Sequence, residues 1–347
     1  MSITLKTTTK LGGTASRVTV GKVAHGLMTM THHVSDAHPD EQLFEAIKAG
    51  VDALPPGTKM VLNSAEFYGP PHDPLANLAM LSRFYEANPE YVDKTFLMVK
   101  GAMTLTATGP RSDSSMEGLR KSVNACSGAL RGTKKIDAFQ PARIDHTRSI
   151  EEAVRNMVVL KEEGKFEHIG LSECKAETLR RAHAVHPLAV VEIEVSIWSY
   201  EEETRKVIAT ASELGVVVTG YSPLGHGFLT GQIKSLDDIP ADDWRRRLVR
   251  VNEYFDQNMV SISAIRAIAD RKGIQPSQLA IAWVAHLGPH VLPLPGMSSK
   301  KRTLENLAGG DAVLTEDELK DIAEVMEKYP VQGHRYFGDD EAVGLWG

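Results

Sequence analysis

Val61-Leu-Asn-Ser-Ala-Glu-Phe-Tyr-Gly69 begins apolar and ends polar. Its start continues Lys59-Met60 as a buried strand, and its end is a loop that presents Asn63, Glu66 and Tyr68 together. The same change from apolar run to polar end recurs along the chain. Runs at 22–29, 59–63, 95–100, 136–140, 167–171, 190–196, 216–221 and 290–294 read as strands. Amphipathic segments near 40–54, 74–91, 114–131, 149–164, 175–185, 201–214, 257–272 and 301–308 read as helices. Eight strand–helix units predict an α/β fold, a closed (β/α)8 TIM barrel formed as one domain over 1–347. An open doubly wound sheet shows the same alternation, but the count of units favours the barrel.

Helix ends carry their own signals. Ser149-Ile-Glu-Glu152 and Thr315-Glu-Asp-Glu318 place a capping hydroxyl three residues before a carboxylate. Gly164 and Gly273 stand where helices should stop. The second capping box opens an extra C-terminal helix at 315–328. The stretch 222–256 is unusually long between the seventh strand and its helix, and with Phe228, Trp244, Tyr254 and Phe255 it reads as a lid loop.

Composition excludes several classes. The chain of 347 residues is 42% hydrophobic and 24% charged, with a net charge of -6, which disfavours nucleic-acid and acidic-membrane partners. Arg245-Arg246-Arg247 beside Asp242 and Asp243 reads as a solvated helix face. No apolar run reaches the roughly 18 residues a membrane span needs. Cys126 and Cys174 are too few for a disulfide framework, and MSITLKTTTK lacks the apolar core of a signal peptide. Both point to the cytoplasm. His32-His33 and His183/His186 have no second ligand cluster, so no metal is expected. Gly225-His-Gly227-Phe-Leu-Thr-Gly231 is one residue too long for a dinucleotide fingerprint, and Gly170-Leu-Ser172-Glu-Cys174 fails the nucleophile-elbow pattern.

In such a barrel the active site lies at the C-terminal ends of the strands. Lys100 ends Phe96-Leu-Met-Val-Lys100. Its bland reading is a lysine snorkelling from a strand end. The chemical reading gives it Tyr68 as partner: an ammonium beside a phenol lowers the phenol's pKa, and such a tyrosine can protonate a carbonyl oxygen as hydride arrives.

Taken together, Asn63-Ser-Ala-Glu-Phe-Tyr-Gly69, Phe96-Leu-Met-Val-Lys100, Ile136-Asp-Ala-Phe-Gln140, Gly170-Leu-Ser-Glu173, Tyr221-Ser-Pro-Leu-Gly-His-Gly-Phe-Leu-Thr-Gly231 and Pro293-Leu-Pro-Gly-Met-Ser-Ser-Lys-Lys-Arg-Thr-Leu-Glu-Asn306 resemble the aldo-keto reductases. The six motifs stand in the family's order from about residue 11 to 310. The resemblance implies an (α/β)8 barrel that reduces small aldehydes and ketones with NADPH and without metal. It places Tyr68 on the proton donor and Lys100 on the lysine that tunes it. It also exposes two departures: Asn63 stands where the family usually has an aspartate, and Ala142 where it has a histidine. Asn63 can orient Lys100 but brings no charge, which implies a lower lysine pKa. Ala142 removes a donor at the carbonyl, with Arg143, His146 or water as candidate replacements; strand alternation would turn Arg143 the other way if the strand continued.

The same departures resemble a subgroup, the pyridoxal reductases of fungi, which reduce the 4-aldehyde of pyridoxal to pyridoxine. A small Ala142 leaves room for an aromatic aldehyde, and Glu66 or Arg143 would pair with its polar groups. Trp198 reads equally as core or as pocket wall. By the same resemblance Tyr221 stacks on the nicotinamide, and Ser172, Glu173 and Glu192 fall where the carboxamide is held, two of them unusually glutamates. Ser222, Pro223, Leu224 and Gly227 would follow the pyrophosphate. Ser298, Ser299 and Arg302 would form an anion site for the adenosine 2′-phosphate, favouring NADP over NAD, with Glu305 and Asn306 at the adenine. The aromatic and polar tail 329–347 would fold over the pocket. Two other readings stay open: a reductase of broad specificity, and a cofactor-binding regulatory subunit with little turnover.

Overall fold

The computed structural model describes residues 5–32, 38–106, 109–241, 243–338 and 344–347. Eight parallel strands form one sheet: β1 (His25–Gly26), β2 (Met60–Ala65), β3 (Thr95–Gly101), β4 (Ala138–Pro141), β5 (His168–Ser172), β6 (Val190–Glu194), β7 (Val217–Tyr221) and β8 (Val291–Leu294). They pair in sequence order from β1 to β8. The ends meet where Gly26 bridges Gly296 and the Ala24 and Gly26 amides donate to the Pro293 and Pro295 carbonyls, both at 2.9 Å. The sheet is thereby closed into a barrel, as the alternation predicted.

Side chains alternate along each strand. On β2, Met60, Leu62 and Ser64 turn outward, while Val61, Asn63 and Ala65 turn inward; Leu62 joins the layer between strands and helices, and Val61 the separate cluster inside the barrel. That inner cluster includes Phe96, Met98, Ala138, Val190, Val217 and Leu292 and fills the lower barrel. The next inward positions up the strands are polar: Asn63, Lys100, Gln140 and Glu192, all buried. An apolar floor therefore carries a polar layer facing the C-terminal mouth.

The N-terminal end is sealed by a hairpin of Thr8–Lys10 and Thr19–Gly21. Its Gly12 and Gly13 amides donate to Ala189 O at 3.2 Å and Gly215 O at 3.0 Å. Gly13 has φ +46 and a Cβ there would lie 2.1 Å from Leu188 O, so only glycine permits this approach. Around the barrel, Ser149 and Thr315 cap their helices as their sequence signals indicated.

Besides the N-terminal hairpin, four features differ from expectation. The run 22–29 yields only the two-residue β1, because a short helix, Met28–Thr31, begins at once. The helix Pro276–His286 was not anticipated; it is buried on most faces and so lacks the amphipathic stripe that identifies a helix. A hairpin of Met103–Thr106 and Gly109–Ser112 was also missed. Within 222–256 the chain forms short turns, Gly225–Thr230, Leu236–Asp238 and Trp244–Arg247, and a helix Val249–Asn252. Arg245 pairs there with Asp243 at 2.6 Å. Asp242 and His33 lie outside the described residues.

Candidate active site

The inward alternation of β2, β3, β4 and β6 brings four polar side chains to one point. Lys100 Nζ donates to Asn63 Oδ1 at 2.5 Å and lies 2.8 Å from Glu192 Oε1. Glu192 Oε2 accepts from Asn63 Nδ2 at 2.6 Å and Gln140 Nε2 at 2.7 Å. The carboxylate absent at position 63 is thus present at 192. Burial alone would press Lys100 toward its neutral form, but Glu192 and Tyr68 outweigh burial and hold its pKa above the ordinary value. The lower lysine pKa expected from Asn63 is therefore corrected.

Tyr68 lies just beyond β2, its carbonyl held by Thr31 Oγ1 at 2.5 Å. Lys100 Nζ sits 4.8 Å from the centre of its ring. Burial raises the phenol's pKa, Lys100 and Arg143 pull it down, and Glu192 pushes it up; the balance is a raised value. Lys100 acts on the phenol in the expected direction without overcoming burial, so Tyr68 carries its proton.

Ala142 is fully buried. Strand β4 stops at Pro141, so alternation does not turn Arg143 away. The charge of Arg143 acts on Tyr68, Tyr221 and Tyr336, which places it at the mouth. Glu66 is directed elsewhere: its Oε2 accepts from Ser122 Oγ at 2.5 Å and the Ala102 amide at 3.2 Å. Trp198 is 3% exposed and stacks on Phe228 with centroids 4.9 Å apart, in the core beneath the lid loop.

Across the mouth, Tyr221 ends β7, and its hydroxyl accepts from Arg335 Nη2 at 3.0 Å. Arg335 was not singled out in the sequence. It is 3% exposed and also donates to Glu173 at 3.1 and 3.2 Å and to Glu194 at 2.9 Å. The Trp346 ring lies 5.0 Å from its guanidinium, and the Gly347 amide donates to Glu173 O at 3.0 Å. The described parts of the tail therefore lie over the mouth, pinned by one arginine on two buried glutamates. The advance signal was an arginine in an aromatic and polar tail.

The nucleotide-binding candidates fall in two places. After β7, Ser222 and His226 have φ +52 and +53, and Gly225 and Gly227 +54 and +97. Left-handed residues held together in this way store strain, which is common at ligand loops. Pro223 is buried and Leu224 packs on the core. After β8, Ser298 is buried and Ser299 caps the helix Lys300–Gly309 by accepting from the Arg302 amide at 3.4 Å. Lys300, Lys301 and Arg302 are exposed at that N-terminus, a basic cluster without an ion pair among the described residues, where the helix dipole favours an anion. This end fits a phosphate-bearing nucleotide. Glu305 accepts from Ser277 Oγ at 2.9 Å, and Asn306 Nδ2 donates to Gly296 O at 3.4 Å. Ser172 is buried at the end of β5, and its neighbours Glu173 and Glu192 are engaged by Arg335 and Lys100. Among the described residues no His, Cys, Asp and Glu group gathers as a metal site, and no helix is long and apolar enough to cross a membrane.

The barrel thus carries a tyrosine and a buried lysine together at its mouth. The family description "Aldo/keto reductase family" matches residues 22–327, and the chain belongs to that family. It is an oxidoreductase acting on aldehydes or ketones, in a family that generally works with NAD(P)H. It is 32% identical over 323 residues to the probable pyridoxal reductase 2 of Schizosaccharomyces pombe, covering 91% of this chain and 95% of that protein. It is 38% identical over 207 residues to the aldo-keto reductase str7 of Strobilurus tenacellus, covering 59% of this chain and 62% of that one. Among solved structures, a glycerol dehydrogenase from Gluconobacter oxydans superposes with a TM-score of 0.77 at 21% identity, covering 94% of this chain and 97% of that one.

Proposed function

We propose that this chain reduces pyridoxal to pyridoxine with NADPH, and that Tyr68 delivers the proton. The observation that carries the reading is the buried Lys100 ammonium 4.8 Å from the Tyr68 ring, at the mouth of the barrel. A nicotinamide held beside Tyr221 and Ser172 would supply the hydride for the aldehyde carbon. Tyr68 gives its proton to the carbonyl oxygen, and Lys100 stabilises the phenolate left behind. Asn63 fixes Lys100 in place. Arg143 stands in for the family's histidine as the donor near the carbonyl and pairs with the phenolic oxygen beside the pyridoxal aldehyde. Ala142 leaves room for the aromatic ring. The name of the Schizosaccharomyces pombe relative, matched over nearly its whole length, supports the vitamin substrate.

For the cofactor, Tyr221 and Ser172 would hold the nicotinamide end, and Ser222, Pro223, Leu224 and Gly227 the pyrophosphate. Ser298, Ser299 and Arg302 would hold the 2′-phosphate, with Glu305 and Asn306 at the adenine. The basic helix start supports NADPH over NADH. Two buried free cysteines suit a cytoplasmic setting. Initial rates with pyridoxal, and with simple aliphatic aldehydes for comparison, test the reading in the presence of NADPH and of NADH. It expects pyridoxal and NADPH to be preferred. Tight NADPH binding without turnover of any aldehyde would refute it.

A further inference from the structure

We propose that Glu192 is the positioning residue that supplies the counter-charge to Lys100, a task moved from the second strand to the sixth. The inference rests on the reading of Tyr68 as proton donor. A lysine buried at 5% exposure needs a negative partner, and Asn63 offers only an amide. Glu192 is 1% exposed, stands 129 residues from Asn63 in sequence, and meets Lys100, Asn63 and Gln140 at 2.8, 2.6 and 2.7 Å. Each of the three donors has its acceptor, and the two charges cancel. The two departures at positions 63 and 192 are then one exchange: a carboxylate lost from one inward position and gained at another facing the same lysine.

The exchange has two consequences. First, the negative charge reaches Tyr68 as well as Lys100, and it opposes proton loss from both. The pair therefore keeps its proton to higher pH than it would with an uncharged residue at 192. Second, Glu192 already meets three donors, which leaves it about one acceptor site for the carboxamide contact that its position would imply. Ser172 remains on that side.

The test moves the charge back. Tyrosine labelled with 13C at Cζ reports each phenol's ionisation without turnover, and the spectrum of Tyr68→Phe identifies the Tyr68 signal among the eight tyrosines. In Glu192→Gln, which keeps the shape and loses the charge, the Tyr68–Lys100 pair should lose its first proton about one pH unit or more below wild type, read at Tyr68 Cζ or, with lysine labelled with 13C at Cε, at Lys100. The reference is the wild-type alkaline unfolding limit where that comes first. In Asn63→Asp/Glu192→Gln the midpoint should return. The alkaline limb of the pyridoxal reduction rate should move with it. Unmoved ionisation of both Tyr68 and Lys100 in folded Glu192→Gln overturns the proposal, because a merely structural role would shift neither. So does a double variant that fails to restore it. If the single variant does not fold, the double variant decides alone: it must fold and titrate as wild type. Absence of reductase activity in wild type would count against the proposed function, while the labelled phenol still reports on Glu192.

Discussion

Arg335→Met removes the pin that holds the tail over the mouth. The guanidinium satisfies Glu173, Glu194 and Tyr221 while only 3% exposed. Methionine fills similar volume but takes the guanidinium away from two carboxylates, 0% and 1% exposed. Breaking one partner out of a buried charge pair costs about 3–5 kcal/mol. The pH dependence has a definite sign. Burial pushes the Glu194 carboxyl up, but Arg335, His226 and Arg250 overcome it and hold it well below the usual carboxylate range. A depressed folded pKa stabilises above the unfolded value, near 4.3, and that contribution fades as pH falls through the folded value. The variant loses the Arg335 share of it, so the gap between wild type and variant should be widest at neutral pH and narrow below about pH 4 as Glu194 gains its proton. Urea unfolding at several pH values measures it. A neutral-pH gap under about 1 kcal/mol, the value of an ordinary exposed ion pair, would refute the reasoning, as would a gap that does not narrow in acid.

Two further outcomes concern single side chains. Arg302→Ala should raise the KM for NADPH by about 10-fold or more, the loss of one charge-assisted contact, while leaving the KM for NADH nearly unchanged; equal effects on both would remove Arg302 from the phosphate site. Trp198→Ala should destabilise the fold by about 3–5 kcal/mol through the cavity left against Phe228, read from the urea midpoint. A change confined to substrate KM would instead make Trp198 a pocket wall.

The strands were legible because a barrel strand repeats a short apolar run before a polar end, and the same period of two that made Val61 core made Asn63 inward. Tyr68 and Lys100 stood out for that reason: each follows its run at a mouth position. Glu192 was legible as a departure but not as a partner of Lys100. The two residues are 92 positions apart, and only the closed sheet brings the third and sixth strands face to face. The signal was nonetheless present, in a carboxylate missing at 63 and an extra one at 192. Pro276–His286 escaped because a helix buried on most faces shows no stripe. Arg335 escaped because nothing local in the tail ties it to Glu173, 162 residues earlier.

The central claim is that Tyr68 gives the proton. The most direct measurement is kcat for pyridoxal reduction by Tyr68→Phe, with NADPH binding followed separately by fluorescence titration. The account predicts unchanged binding and a kcat lower by about 10²–10⁴-fold. A kcat within a few-fold of wild type would contradict it and move the proton donor to another group at the mouth.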